Sequence, residues 1–136
     1  KNSSEMRKGL VSILGLILLV GCSKEPGEGG KNTIEGLVIM QEYTESTDQF
    51  IIEYPASEER VYIIYGDNAY YADETRTNYD GSFRYEYLYK GDYTIFIYSE
   101  CLACPGGAEP LFIDIELKER KEEYVTDTLY IKKYIK

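Results

Sequence analysis

The sequence has no histidine and no tryptophan, and only 3 cysteines and 2 methionines among its 136 residues. Without histidine there is no Ser-His or Cys-His nucleophile pair and no His-ligated zinc. The side chain that most often moves protons near neutral pH is also missing. Positive charge is scarce as well: 15 Lys and Arg stand against 24 Asp and Glu, a formal net charge of −9. A DNA, RNA or anionic-lipid footprint needs a cation for each phosphate, so none of these partners is expected. Beyond Cys22, no stretch keeps apolar residues at helical spacing through three turns, which leaves a parallel α/β architecture without a crossover helix.

What the chain has in quantity is tyrosine, 15 of them. Segments 33–43, 50–54, 60–65, 70–77, 82–88, 92–98, 111–118 and 124–131 are rich in Ile, Val, Tyr, Phe and Thr and are separated by turn residues. That spacing predicts strands of an all-β sandwich. In 82–88, Phe83, Tyr85 and Tyr87 alternate with Arg84 and Glu86; in 111–118, Leu111, Ile113, Ile115 and Leu117 alternate with Asp114, Glu116 and Lys118. Alternation of period two means one dry face and one wet face. The expectation is one domain over 32–136, a seven- to eight-stranded antiparallel sandwich.

The beginning of the chain reads differently. Arg7 and Lys8 precede an apolar run at 10–20, which covers 11 positions. A membrane-spanning helix needs roughly 20. Positively charged start and short apolar run together predict an export signal that begins at Met6, so that 1–21 comprises upstream residues and a signal peptide removed from the mature protein. The following Leu19-Val20-Gly21-Cys22 resembles the lipobox of bacterial lipoproteins, and the resemblance implies cleavage before Cys22 and lipid on its sulfur, an anchor in a membrane. Pro26 and the glycines of 22–31 predict a flexible tether. Within it, Ser23-Lys24-Glu25 resembles the short Lys-acidic signals that send some lipoproteins of the Bacteroides group to the cell surface. The expected location is the outer membrane or cell surface.

Two turns and an opening strand carry a further pattern: Thr77-Asn78-Tyr79-Asp80-Gly81-Ser82-Phe83, Leu88-Tyr89-Lys90-Gly91-Asp92-Tyr93 and Ile34-Glu35-Gly36-Leu37-Val38. The Asp-Gly pair predicts a tight hairpin in which glycine takes a positive φ. Together the three segments resemble carboxypeptidase regulatory-like and collagen-adhesin B-type modules, departing from them at Asn78 and in an acidic insert over 42–49. The resemblance implies an Ig-like, transthyretin-like sandwich, with Phe83 in the core. Tyr93 is expected to bury its ring and bond backbone through its hydroxyl, as in the tyrosine corner of related sandwiches. Some such modules carry a Lys-Asn or Lys-Asp amide bond, which needs a core lysine on the first strand; 33–43 contains none.

Cys101-Leu102-Ala103-Cys104 is the most singular local feature. It can be a loop-closing disulfide or a thiol pair, half of a metal site, or a redox couple. Counting only Cys and His leaves a zinc ion short of ligands, and Pro105-Gly106-Gly107 disfavours the helix start that activates a redox thiol; no metal and no cofactor is expected. Tyr62, Tyr70, Tyr71, Phe96 and Tyr98 fall on strands whose alternate residues already look like core, so they are candidates for an exposed binding surface. The functional expectation is a non-catalytic binding or accessory module. Its partner is a protein in an envelope assembly or, alternatively, a glycan stacked on the tyrosines; catalysis through Cys101 and Cys104 is a third reading.

Overall fold

The computed structural model describes residues 25–136. The expected export signal, Cys22 and the first residues of the expected tether lie outside the described residues. Nine strands form two sheets: β1 (Glu28–Thr44), β2 (Phe50–Pro55), β3 (Arg60–Tyr65), β4 (Asp73–Arg76), β5 (Ser82–Leu88), β6 (Gly91–Glu100), β7 (Ala108–Leu117), β8 (Glu123–Val125) and β9 (Leu129–Ile135). β1, β2, β5, β8 and β9 make a five-stranded sheet, and the other four pair in the order β4-β3-β6-β7. Their inner faces meet in a core of Ile34, Val38, Val61, Ile63, Phe83, Tyr85, Ile95, Ile97, Ile115, Leu117 and Ile131. The all-β, two-layer expectation is what the structure shows. No helix among the described residues is long and apolar enough to cross a membrane.

β1 organises the five-stranded sheet because its 17 residues are long enough to serve two sets of neighbours. On one side its first half pairs antiparallel with β5 and its second half antiparallel with β2. On its other side it pairs with β8 and then β9, both parallel. These two parallel pairings depart from the expected all-antiparallel sandwich. They also raise the strand count to nine, since the segment expected at 124–131 breaks at Thr126. There the chain leaves the ladder, and the buried Thr126 donates its backbone N–H to Glu35 O at 2.9 Å. Gly36, midway along the motif strand, leaves room for the Phe83 ring and the Thr126 hydroxyl; a Cβ at this position would collide with both. That is the physical need for glycine in the Ile34–Val38 pattern.

The expected tether is shorter than 22–31, because residues 28–31 already belong to β1. Tyr93 holds this entry in place. Its buried hydroxyl donates to Tyr89 O at 2.7 Å and accepts from Gly27 N at 2.9 Å. This is the corner the motif implied, with an added bond to the arriving chain. Burial pushes the Tyr93 and Tyr85 hydroxyls above their ordinary pKa, since ionising either would put a charge in the core. The fully buried Asn32 ties down the far loop, donating from Nδ2 to Glu119 O at 2.8 Å and accepting at Oδ1 from Glu122 N at 2.7 Å.

The Asp80-Gly81 turn has the expected positive φ, +84° at Gly81, but it does not close a hairpin. β4 lies in one sheet and β5 in the other, so the turn carries the chain between layers. Asp80 Oδ1 accepts from Ser82 N at 3.0 Å and Ser82 Oγ at 2.6 Å. These bonds favour the carboxylate and hold the Asp80 pKa below its ordinary value, the side-chain bond counting most.

Candidate functional site

Along a strand, side chains alternate between faces, so Tyr62 must point outward if Val61 and Ile63 are core, and Phe96 must if Ile95 and Ile97 are. Strand register then decides whether outward rings meet. β3 sets Tyr62 opposite Phe96, and β7 sets Phe112 opposite Phe96, giving a cross-strand row Tyr62–Phe96–Phe112 on the outer face of the four-stranded sheet. Tyr62 and Phe96 are stacked, with centroids 4.8 Å apart and planes 13° from parallel. Phe112 follows at 5.6 Å with a 47° tilt. Tyr98, one outward position along β6, stands nearly perpendicular to Phe96 at 5.8 Å. Tyr71 meets the edge of Tyr62 at 4.8 Å.

The cluster has a base and a rim. Phe96 is only 8% exposed because the other four rings cover it, whereas Tyr71, Tyr98 and Phe112 are 51%, 52% and 59% exposed. Tyr62 and Phe96 are parallel, and Tyr98 turns a second plane across them. The result is a broad apolar surface with phenolic hydroxyls at its border. Polar side chains share the face. Glu74 is opposite Tyr62, Arg60 is opposite Arg76, and the Thr94 hydroxyl donates to Asp114 Oδ1 at 3.0 Å in the next row. Rings for C–H contact beside hydroxyl, carboxylate and guanidinium groups suit a ligand that is apolar on its faces and polar at its edges.

Of the five aromatic candidates, Tyr62, Tyr71, Phe96 and Tyr98 are brought together. Tyr70 is apart from them, 84% exposed in the loop before β4. Phe112 was missed. Its signal was present in the alternation of 111–118, where it occupies the outward set with Asp114 and Glu116.

A second aromatic row lies at the far end of the other sheet. Tyr43 is opposite Phe50 on one neighbour and Tyr134 on the other, with centroids at 5.8 and 6.0 Å. Lys132 Nζ sits 4.9 Å from the Tyr43 ring centre, occupying a ring face. β2 beside it is exposed throughout. Tyr54 on this strand donates its hydroxyl to Glu42 Oε1 at 2.7 Å, and that bond, ahead of desolvation, holds its proton above the ordinary tyrosine pKa.

Cys101 and Cys104 are joined by a disulfide in the loop between β6 and β7. The turn that follows, Pro105–Gly107, is a single 3-10 turn with Gly106 at φ +74°, so no helix starts at the cysteines. Glu109, early in β7, places Oε2 3.6 Å from Cys104 Sγ.

No family model matches the chain, nor does any curated protein. Three solved structures follow a similar chain path. A candidate carbohydrate-binding protein from Pseudomonas aeruginosa is 12% identical, with a TM-score of 0.48 over 74% of this chain and 90% of its own. (S)-allantoin synthase is 13% identical, with a TM-score of 0.36 over 71% of this chain and 41% of its own. A DUF3823 family protein from Bacteroides uniformis is 21% identical, with a TM-score of 0.31 over 75% of this chain and 42% of its own. The chain thus spans about two fifths of the last two.

Proposed function

We propose that this protein is a non-catalytic carbohydrate-binding module, held at the outer membrane or cell surface by lipid on Cys22. The observation that carries the binding reading is the five-ring surface of Tyr62, Tyr71, Phe96, Tyr98 and Phe112 on a sheet face backed by the core. Pyranose rings present C–H groups on their faces and hydroxyls around their edges. The aromatic surface matches the first, and the tyrosine hydroxyls, Glu74 and the arginine pair match the second. Stacking on a pre-formed aromatic surface orders few side chains on binding, so little affinity is lost to entropy. The anchor rests on the Leu19–Cys22 pattern and its apolar leader. Electrophoresis of the purified protein through gels containing soluble polysaccharides tests the binding. Migration is expected to slow on at least one polysaccharide and to recover in a Tyr98→Ala, Phe112→Ala double variant.

A protein partner in an envelope assembly is a second reading, favoured by a different observation. β2 ends the five-stranded sheet with Phe50, Ile51, Ile52 and Tyr54 all exposed. β9, by contrast, has two backbone donors occupied from the other sheet, Lys132 N bonding Ser99 Oγ at 2.8 Å and Tyr134 N bonding Glu100 Oε2 at 2.6 Å. An open, apolar edge strand is a template for an added strand from another chain. Glu53→Lys together with Ile51→Lys should abolish capture of such a partner from solubilised membranes and leave polysaccharide retardation intact.

A further inference from the structure

The loop between β6 and β7 gathers two cysteines and a carboxylate that the carbohydrate reading does not use. Cys101, Cys104 and Glu109 place one ligand atom each so that all lie within 4.8 Å of one another. The 3.6 Å between Cys104 Sγ and Glu109 Oε2 is informative in itself. A sulfur in a disulfide has no proton to donate, so this approach is not a hydrogen bond. With Zn–S near 2.3 Å and Zn–O near 2.1 Å, a sulfur and an oxygen on one tetrahedral zinc lie about 3.6 Å apart. The carboxylate therefore already stands where a metal shared with Cys104 would require it.

Backbone hydrogen bonds add to the sulfur–sulfur bond in ordering this loop. Glu109 is fixed by the β6–β7 ladder, opposite Ser99. Cys101 N donates to Gly107 O at 2.9 Å, and Gly107 N donates to Cys104 O at 3.0 Å, closing the loop on itself. Gly106 and Gly107 have open space where a Cβ would stand, so the loop is not crowded on that side. Once the disulfide is broken, two sulfurs on one tetrahedral zinc need only move to about 3.8 Å apart, while the Cα atoms are 5.4 Å apart.

We propose that the reduced loop is a binding site for a thiophilic divalent cation such as zinc, with Cys101 Sγ, Cys104 Sγ and a Glu109 carboxylate oxygen as ligands and water in the fourth position. Counting cysteine and histidine alone left a zinc ion short of ligands; the ladder brings Glu109 up as a third. The disulfide and the metal are alternatives. A dithiol reductant transfers two electrons, breaking the S–S bond and leaving two thiols while it becomes a cyclic disulfide. The cation then displaces both thiol protons to solvent and takes the two thiolates, which neutralise it, and Glu109 adds a third, anionic ligand. A small-molecule disulfide, accepting the two electrons and leaving as two thiolates, returns the protein disulfide and expels the ion.

The test is a cobalt titration of the whole protein, reduced with dithiothreitol and freed of reductant under argon. Thiolate-to-cobalt absorption should rise to one equivalent per chain and vanish on adding zinc. The oxidised protein and Cys104→Ser should give no such band. Glu109→Gln should bind roughly tenfold or more weakly, the scale of a lost contact of about 1.4 kcal/mol. Circular dichroism of each variant should match the parent, since the loop lies outside the core. Equal binding by the reduced parent and Cys104→Ser would falsify the site, and unchanged affinity in Glu109→Gln would remove the carboxylate from it.

Discussion

The two aromatic rows make the most instructive comparison in the molecule. Tyr62–Phe96–Phe112 and Phe50–Tyr43–Tyr134 each span three neighbouring strands in register. The first lies over the core, with Val61, Ile63, Ile95 and Ile97 buried beneath it. The second lies where β1 runs on toward Thr44 and the exposed β2 has no packed layer against it. In the first, the central ring is buried by its own neighbours, Tyr62 is half-buried and Phe112 is exposed. In the second, the central ring carries a lysine on its face. Aromatic rows are thus common property of a tyrosine-rich sheet, and what singles out the first as the proposed binding surface is the core packed beneath it.

The sharpest way to break this comparison is to remove each central ring. Phe96→Ala should cost about 3 kcal/mol or more in a denaturant titration, the scale of truncating a buried phenylalanine, and should abolish polysaccharide retardation. Tyr43→Ala should cost only about 1 kcal/mol, the value of exposed ring pairs, and leave binding untouched. Equal losses for the two would sink the distinction.

High pH offers a second cut. Tyr85 and Tyr93 have folded-state pKa values raised above the unfolded value of 10.0 by burial. Above pH 10 the unfolded chain therefore releases protons that the folded chain retains, and stability should fall as pH rises from there. Tyr85→Phe removes one of these groups and should flatten the decline measured by thermal melts between pH 9 and 11.

Trimming the exposed rings should separate binding from folding. Tyr98→Ala and Phe112→Ala are each expected to weaken polysaccharide affinity by about tenfold, near 1.4 kcal/mol, while lowering unfolding free energy by about 1 kcal/mol, the worth of a lost ring pair. The smallest effect belongs to the second row. Lys132→Ala should cost about 0.5–1 kcal/mol, the worth of an exposed cation–π contact, with no change in retardation. An affinity change there would mean that the end of the five-stranded sheet also binds.

Much of the fold could be read in the sequence because strand character is local. β3 and β5 fall where the alternation put them, and Phe83 and Tyr93 are buried as their motifs implied. Three of the candidate rings, Tyr62, Phe96 and Tyr98, share one surface for the same reason, since their outward direction follows from buried neighbours one residue away. Tyr70 and Tyr71 both precede β4, where no strand alternation sets their direction, and only Tyr71 reaches the cluster. Phe112 escaped notice because a single ring among Asp114, Glu116 and Lys118 has no mark of its own until β7 is laid beside β6. Glu109 is silent for a similar reason: carboxylates are common in this chain, and only the ladder brings this one to the cysteines.

By itself the sequence determined that the chain forms strands, which side chains turn inward, and that histidine and basic-surface chemistry are closed to it. These follow from period-two geometry and residue type, which need no knowledge of distant contacts. The tertiary structure decided which strands are neighbours: the parallel seating of β8 and β9 on β1, the Asp80-Gly81 turn between layers, and the alignment of Tyr62, Phe96 and Phe112. Register is a sum over long-range packing and hydrogen bonds, and a slip of one residue would turn the same rings to the other face.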